Sequence, residues 1–169
     1  MTGAPRWAEL RAGQSLPTLE FPITWKTLML EAAGTRDFMP YHYLSDFTRS
    51  VGIREAFVNT MFNQALFGRF ATDWSGPGSA LRSASLNMID QLCPGDTAIV
   101  SGDIVRTWRE GDDLLVELEL RTANDHAVTA RSTTVVALPE RLGPDAHHKR
   151  PSQISGGMRK RAAVARALA

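Results

Sequence analysis

The sequence has almost no cysteine and no long apolar run, and each absence excludes a class of protein. Cys93 is its single cysteine, which rules out an internal disulfide and a cysteine-based metal site. No apolar run approaches the ~20 residues that cross a bilayer. The first residues, "MTGAPRWAELRAGQ", lack the apolar core of a secretory signal. We therefore expect a cytoplasmic protein with no membrane span and no metal.

Acidic residues are missing from the last part of the chain. All 18 of them lie at or before Asp145, so residues 1–145 carry 13 basic against 18 acidic side chains, a net charge of −5. Residues 146–169 carry six basic side chains and no acidic one. This break indicates a domain followed by an appendage. We predict an N-terminal extension at 1–9, one domain at 10–140, a linker at 141–150 and a basic tail at 151–169.

Three segments before residue 76 have helical signals. "WKTLMLEAAG" follows Thr24, which can cap a helix, and ends at a glycine; "SDFTRSVG" begins at Ser45, a second capping candidate. The strongest helix is predicted at 59–74, with Asn59 as its N-cap. Its apolar side chains recur at helical spacing: Met61, Phe62, Ala65, Leu66, Phe70 and Trp74.

From Ala80 onward the apolar pattern changes to a period of two. The runs "LRSASLNMI", "TAIVSGDIVRTW", "LLVELELRTA" and "AVTARSTTVVAL" read as strands separated by turn sequences. Residues 13–24 add a short edge strand. A buried helix followed by closely spaced antiparallel strands predicts an α+β fold in which a sheet wraps around the helix.

The segment "TRDFMPYH" at 35–42 places an acid and a histidine five positions apart around a proline. A carboxylate and an imidazole that share one water can take a proton from it and deliver one elsewhere. Pro40 stiffens the loop between them. Taken alone, so short a motif is more often a pair of solvated or capping side chains.

The motif and its setting resemble the MaoC-like hydratases of the hotdog fold. That family carries Asp-x-Asn-Pro-[Leu/Ile]-His, and Asp37, Pro40 and His42 match it, whereas Met39 stands where Asn is usual. The resemblance covers about residues 10–138. It extends to "FVNTM", "GRFATDWSGP" and "CPGDT", which are most similar to the small MaoC-like subunit of steroid side-chain enoyl-CoA hydratases.

The resemblance implies a set of site residues. Asp37 and His42 would be catalytic, and the backbone N–H of Thr60, at the start of the central helix, would hold the thioester oxygen. In the family this donor follows a His-Gly pair, and the equivalent stretch of this chain is Val58-Asn59-Thr60. Tyr41, Asn59 and Arg82 are candidates for substrate binding, although packing, capping and solvation explain such residues equally well.

The function implied by the resemblance is hydration of a trans-2-enoyl-CoA with a bulky, steroid-like acyl group. Coenzyme A would arrive with the substrate, with no other cofactor and no nucleic acid. The partner would be another copy or a second MaoC-like subunit, since hotdog domains of this family work as dimers. Two alternatives stay open: a non-catalytic hotdog subunit that binds acyl-CoA or scaffolds a partner, and an acyl-CoA thioesterase.

The basic tail resembles a different family. "ISGGMRKR" is similar to the signature segment of ABC transporter ATPases, in which residues matching Ser155, Gly156 and Gly157 contact nucleotide. That role requires a P-loop, and no G-x-x-x-x-G-K-[ST] occurs in the sequence. The tail is therefore expected to be a fragment, from a fusion, a shifted reading frame or a cloning artefact.

Overall fold

The structure, a computed structural model, describes residues 5–139. The predicted linker and basic tail lie outside the described residues. Within them, three helices and six strands alternate with loops and two 3₁₀ turns, Trp7–Glu9 and Pro40–His42. The helices are α1 (Trp25–Thr35), α2 (Ser45–Ser50) and α3 (Thr60–Ser75). The strands are β1 (Leu19–Pro22), β2 (Ala80–Ala84), β3 (Asn87–Met88), β4 (Thr97–Glu110), β5 (Asp113–Ala123) and β6 (Val128–Leu138).

The strands form one antiparallel sheet in the order β1-β4-β5-β6-β2, with β3 also paired to β6. The long strands β4, β5 and β6 follow one another as a meander, as the turn sequences predict. β1 lies at the edge of the sheet and pairs only with β4 there. Pro22 has no backbone N–H to donate, and an edge strand tolerates this because one of its sides has no neighbouring strand. The predicted α+β architecture is confirmed.

The core lies between α3 and one face of the sheet. The buried face of α3 is centred on Phe62, Leu66, Phe67 and Phe70, and it meets apolar side chains of β4, β5 and β6. Two details of the predicted face were wrong. Met61 is exposed, and Phe67, which the pattern missed, is almost fully buried. The buried face of α3 runs along residues 62, 66 and 70 together with residues 63, 67 and 71. The helix is therefore rotated slightly about its axis from the predicted orientation.

Helix capping decides where two of the helices begin. Thr24 caps α1 in a reciprocal pair with Thr27, and Asn59 caps α3 by accepting a hydrogen bond from the Phe62 amide. Both caps are as predicted. The prediction of Ser45 as a cap was wrong by one position, because Ser45 is already helical and Leu44 precedes it without a side-chain bond.

The described part of the N-terminal extension packs on the domain. Trp7 contacts the core cluster, and its indole N–H donates to the carbonyl of Leu115 over 3.3 Å. An indole that finds both an apolar surface and an acceptor is anchored. The extension therefore packs against the domain from at least Trp7 onward.

The turn Cys93–Asp96 fastens three loops to one another. Asp96 accepts hydrogen bonds from the Cys93 amide, the Asn124 side chain and both terminal nitrogens of Arg54. Burial acts to raise the pKa of Asp96, but these donors outweigh it and leave the pKa below its usual range. The thiol of Cys93 is 1% exposed, and its burial raises the pKa to about 11.

Gly102 marks the tightest approach between two strands. A Cβ at this position would lie 2.3 Å from Leu120 Cδ2 and 3.0 Å from the Glu119 carbonyl oxygen. Leu120 is fully buried in the core, and the Glu119 oxygen belongs to the backbone of the neighbouring strand. The absence of a side chain at residue 102 is therefore a packing requirement of the β4–β5 pair.

We expect Gly102→Ala to lower the free energy of unfolding by about 1–3 kcal/mol, because the added methyl overpacks a closed core. Gly34→Ala is the matched control: it lies within α1 with no atom near its added Cβ. There alanine lowers the conformational entropy of the unfolded chain, which raises the free energy of unfolding by about 0.4–1 kcal/mol. Urea denaturation measures both. A Gly102→Ala variant as stable as the unmodified protein would contradict the packing argument.

Candidate active site

The loop after α1 folds back on itself and brings Asp37 beside His42. α1 ends at Thr35, and its C-cap Arg36 has a left-handed φ of 59°, which stops the helix. The Met39 amide then donates to Asp37 Oδ1 over 3.4 Å, and Pro40 opens the 3₁₀ turn that carries His42. Asp37 Oδ2 and His42 Nε2 lie 3.4 Å apart. The proline thus sets the turn that joins the two groups.

The imidazole of His42 is oriented from its other side. His42 Nδ1 lies 2.8 Å from the carbonyl oxygen of Phe57, a distance at which a protonated Nδ1 donates to that oxygen. This contact fixes the orientation of the ring, with Nε2 towards Asp37. The Phe57 amide donates in turn to the carbonyl of Tyr41, so the two segments hold each other. The His42 side chain is 9% exposed and that of Asp37 24%.

The site opens to solvent on the Asp37 side. A carboxylate and an imidazole nitrogen at 3.4 Å can bind one water together and exchange its proton with a substrate. Because His42 is buried and Asp37 is partly exposed, a ligand reaches the pair past the carboxylate. This geometry is compatible with general acid–base chemistry.

Asn59 connects this pair to the start of α3. Its side-chain oxygen caps the helix, while its Nδ2 donates to Thr35 Oγ1 over 2.8 Å and to Asp37 Oδ2 over 3.4 Å. The residue is 1% exposed. The prediction that the Asn59 side chain binds substrate does not fit this geometry, since its polar atoms are already used inside the protein.

The first turn of α3 offers amide donors next to the pair. The first backbone hydrogen bond of the helix joins the Asn63 amide to the Asn59 carbonyl. The amides of Thr60 and Met61 precede it and have no acceptor within the helix. Together with the helix dipole, they favour negative charge at this end. The predicted Thr60 donor thus lies one residue from Asn59, which contacts Asp37.

Glu31 is a buried carboxyl group that the sequence pattern did not single out. It lies on α1 and is 2% exposed. Its Oε1 accepts a hydrogen bond from the Asn59 amide over 3.2 Å, and its Oε2 is buried without a partner among the described residues. Burial raises the pKa of Glu31 to about 7; the Asn59 hydrogen bond opposes this rise and the charge of Asp37 adds to it.

Comparison with known proteins shows the family. The beta subunit of 3-oxo-4,17-pregnadiene-20-carboxyl-CoA hydratase from Mycobacterium tuberculosis (strain ATCC 25618 / H37Rv) is 30% identical over 121 residues, which cover 70% of this chain and 90% of that protein. The chain belongs to the MaoC-like hotdog family. No family model matches the sequence.

Solved structures of MaoC-like proteins superpose on the chain. A subunit in the crystal structure of the ChsH1–ChsH2 complex from Mycobacterium tuberculosis aligns with a TM-score of 0.70 and 25% identity, covering 76% of this chain and 98% of that one. The (R)-hydratase from A. caviae involved in PHA biosynthesis aligns with a TM-score of 0.68 and 23% identity, covering 78% and 98%. The predicted hotdog fold is confirmed.

The departure from the MaoC-like motif at Met39 leaves the turn intact. Met39 is 52% exposed, and it joins the turn through its backbone N–H, which donates to Asp37. Because a backbone amide is present whatever the side chain, replacing the usual asparagine does not remove this contact. The approach of Asp37 to His42 is built by the backbone and by Pro40.

The other predicted site residues of this MaoC-like chain lie in different settings. Tyr41 packs edge-on against Phe47 and at an angle to Phe57, so its ring is part of the wall beside His42. The Arg82 guanidinium instead pairs with Asp113 at the start of β5. The strand that contacts Thr60 is β3, through Met88, and not β2, which carries Arg82. The structure therefore does not bring Arg82 to the Asp37–His42 pair, and its predicted role in binding is not supported.

Residues 5–139 carry neither a metal-binding cluster nor a membrane-spanning helix. No group of three or more His, Cys, Asp or Glu side chains in this range is arranged to hold a metal ion. No helix in the described range is long and apolar enough to cross a membrane. A surface depression of about 520 Å³ lies between Pro22–Trp25 and Pro94–Thr97, and it does not include the acid–base pair.

Proposed function

We propose that this MaoC-like protein is an enoyl-CoA hydratase that adds water across the double bond of a trans-2-enoyl thioester. The observation that carries the proposal is the Asp37–His42 pair at 3.4 Å, held beside the free amides of an α-helix. Hydration needs a group that takes a proton from water, a group that returns one to Cα, and a donor for the thioester oxygen. The Asp37–His42 pair and the first amides of α3, linked through Asn59, are the groups that support this proposal.

Each group has a role that its surroundings support. Asp37 and His42 together bind the reacting water on their open side; one removes its proton as oxygen attacks Cβ, and the other delivers a proton to Cα. The thioester oxygen gains charge as the enolate forms. The Thr60 amide, reinforced by the α3 dipole, stabilises that charge. The Phe57 carbonyl keeps the imidazole in the required tautomer.

The name of the relative supports a proposal for the substrate class. That relative is the beta subunit of a pregnadiene carboxyl-CoA hydratase, and the chain matches 90% of its length. We propose a bulky, steroid-like acyl group for this chain as well. The apolar, exposed side chains of Phe38 and Met39 next to Asp37 offer a surface for such a group.

Exposed apolar side chains surround the same loop and indicate a protein partner. Apart from Val105, the large exposed apolar residues of the described chain lie on α1, in the 38–44 loop, on or just after α2, in the first turn of α3 and just after β3. They are Trp25, Met29, Leu30, Phe38, Met39, Leu44, Phe47, Val51, Met61 and Ile89. Exposed apolar side chains in this number are typical of an interaction surface. We propose that a second MaoC-like subunit covers it, as the hetero-subunit complex of the solved relative suggests.

The assembly is expected to be a dimer or larger, and more active with a second MaoC-like subunit than alone. Size-exclusion chromatography with light scattering, before and after co-expression with a candidate subunit, measures the assembly against the chain mass of 18.6 kDa. A fully active homodimer would support the proposed activity and contradict the need for a second, different subunit. An active monomer would overturn the proposed assembly.

The proposed activity is tested with two substrates, a short straight-chain enoyl-CoA and a steroid-derived enoyl-CoA. Loss of the enoyl thioester absorbance reports hydration. We expect turnover of both and a higher kcat/KM for the bulky one. Hydration of neither substrate by the assembled protein, with acyl-CoA binding retained, would indicate a non-catalytic subunit. Release of free coenzyme A would indicate a thioesterase instead.

A further inference from the structure

Asn59 occupies a position that the acid–base pair alone does not explain. Every polar group of this residue has a partner: its amide donates to Glu31, its carbonyl accepts from Asn63, and its side chain caps α3. The remaining donor, Nδ2, reaches Thr35 and Asp37. An asparagine that served only as a cap would need one of these contacts.

The contacts of Asn59 link two parts of the site that lie far apart in sequence. Asp37 lies in the loop after α1, and the Thr60 amide begins α3. Asn59 is adjacent to Thr60 and touches Asp37, so it sets the separation between the acid–base group and the oxyanion donor. Because Asn59 is 1% exposed and bonded on all sides, it has no freedom to let that separation change.

We propose that Asn59 is a positioning residue for hydration: through Nδ2 it holds Asp37 Oδ2 in register with the Thr60 amide. The proposal rests on the proposed hydratase function. Asp37 is partly exposed and has few other anchors, its Oδ1 being bonded to the Met39 amide alone. Without Asn59 Nδ2, the Asp37 side chain gains alternative rotamers, and the productive geometry is populated less.

The test replaces Asn59 with serine, which keeps the helix cap but lacks the amide donor. We expect kcat to fall ~10-fold or more with KM within about threefold, since misplaced catalytic groups reduce turnover rather than binding. Asn59→Asp is the second variant: it keeps shape and cap and places an oxygen towards Asp37, so we expect a larger loss. Asn124→Ser is the control, because it removes an equivalent amide contact, to Asp96, outside the site.

A double-mutant cycle makes the test independent of activity. Asn59→Ser and Asp37→Ala are measured singly and together by urea denaturation. We expect the combined shift in midpoint to differ from the sum of the single shifts. Additive shifts, or a kcat for Asn59→Ser equal to that of Asn124→Ser, would overturn the proposal. If the unmodified protein hydrates nothing, the hydratase function fails, and the cycle alone decides whether Asn59 positions Asp37.

Discussion

Asp37→Asn and His42→Ala are each expected to lower kcat/KM for enoyl-CoA hydration by about 10²–10⁴-fold, the usual contribution of a general acid–base group. Asparagine keeps the size of Asp37 and cannot accept a proton, whereas alanine removes the imidazole that Phe57 orients. Steady-state hydration kinetics measure both losses. A melting curve establishes that each variant is folded.

Two substitutions outside the pair serve as controls. Asp46→Asn changes an exposed carboxylate on α2 that lies 3.9 Å from Arg49. His126→Ala changes an exposed histidine in the turn between β5 and β6. Both are expected to keep activity within about twofold, as surface changes usually do. Full activity in Asp37→Asn or in His42→Ala would refute the acid–base assignment.

Glu31→Gln is expected to remove a loss of stability that the unmodified protein suffers as pH rises. The folded-state pKa of Glu31 is raised by burial from 4.5 to about 7. Between these values the unfolded chain releases the proton while the folded protein keeps it, so the free energy of unfolding falls with rising pH. A shift of this size corresponds to a cost of about 3–4 kcal/mol above pH 7.

The measurement compares urea unfolding of the two proteins at several pH values. The stability of Glu31→Gln relative to the unmodified protein should rise between pH 4.5 and about 7 and then level off. Any loss from the changed hydrogen bond to Asn59 is a constant offset and does not alter this slope. Glu20→Gln, which removes an exposed carboxylate from the edge strand β1, is the control. A flat difference for Glu31→Gln would contradict the buried-acid argument.

The sequence predicts the acid–base pair better than it predicts what holds the pair. The motif of Asp37, Pro40 and His42 spans only six residues, so its spacing along the chain is enough to predict that the two side chains lie close together. Glu31 was missed because a single glutamate in an 11-residue helix reads as a solvated side chain, and its burial depends on how α1 lies against the start of α3. Arg82 was assigned to the site because a strand position does not reveal which partner, here Asp113, is across the sheet.

The fold was predictable where the pattern is local and less so where packing decides. The period-two runs after Ala80 place β4, β5 and β6 within one or two residues, because alternation and turn residues act along the chain. The buried face of α3 depends on the rotation of the helix against the sheet. That rotation buries Phe67 and exposes Met61, and nothing in the spacing alone distinguishes the two.

The buried Cys93 gives the molecule a natural reporter of transient opening. Its thiol is 1% exposed and its pKa is about 11, so the reactive thiolate is both scarce and shielded in the closed state. Alkylation can proceed only when the turn that Asp96 fastens to Arg54 and Asn124 comes apart. The rate of modification therefore measures how often these loops separate, and it should slow if a subunit that docks nearby holds them closed.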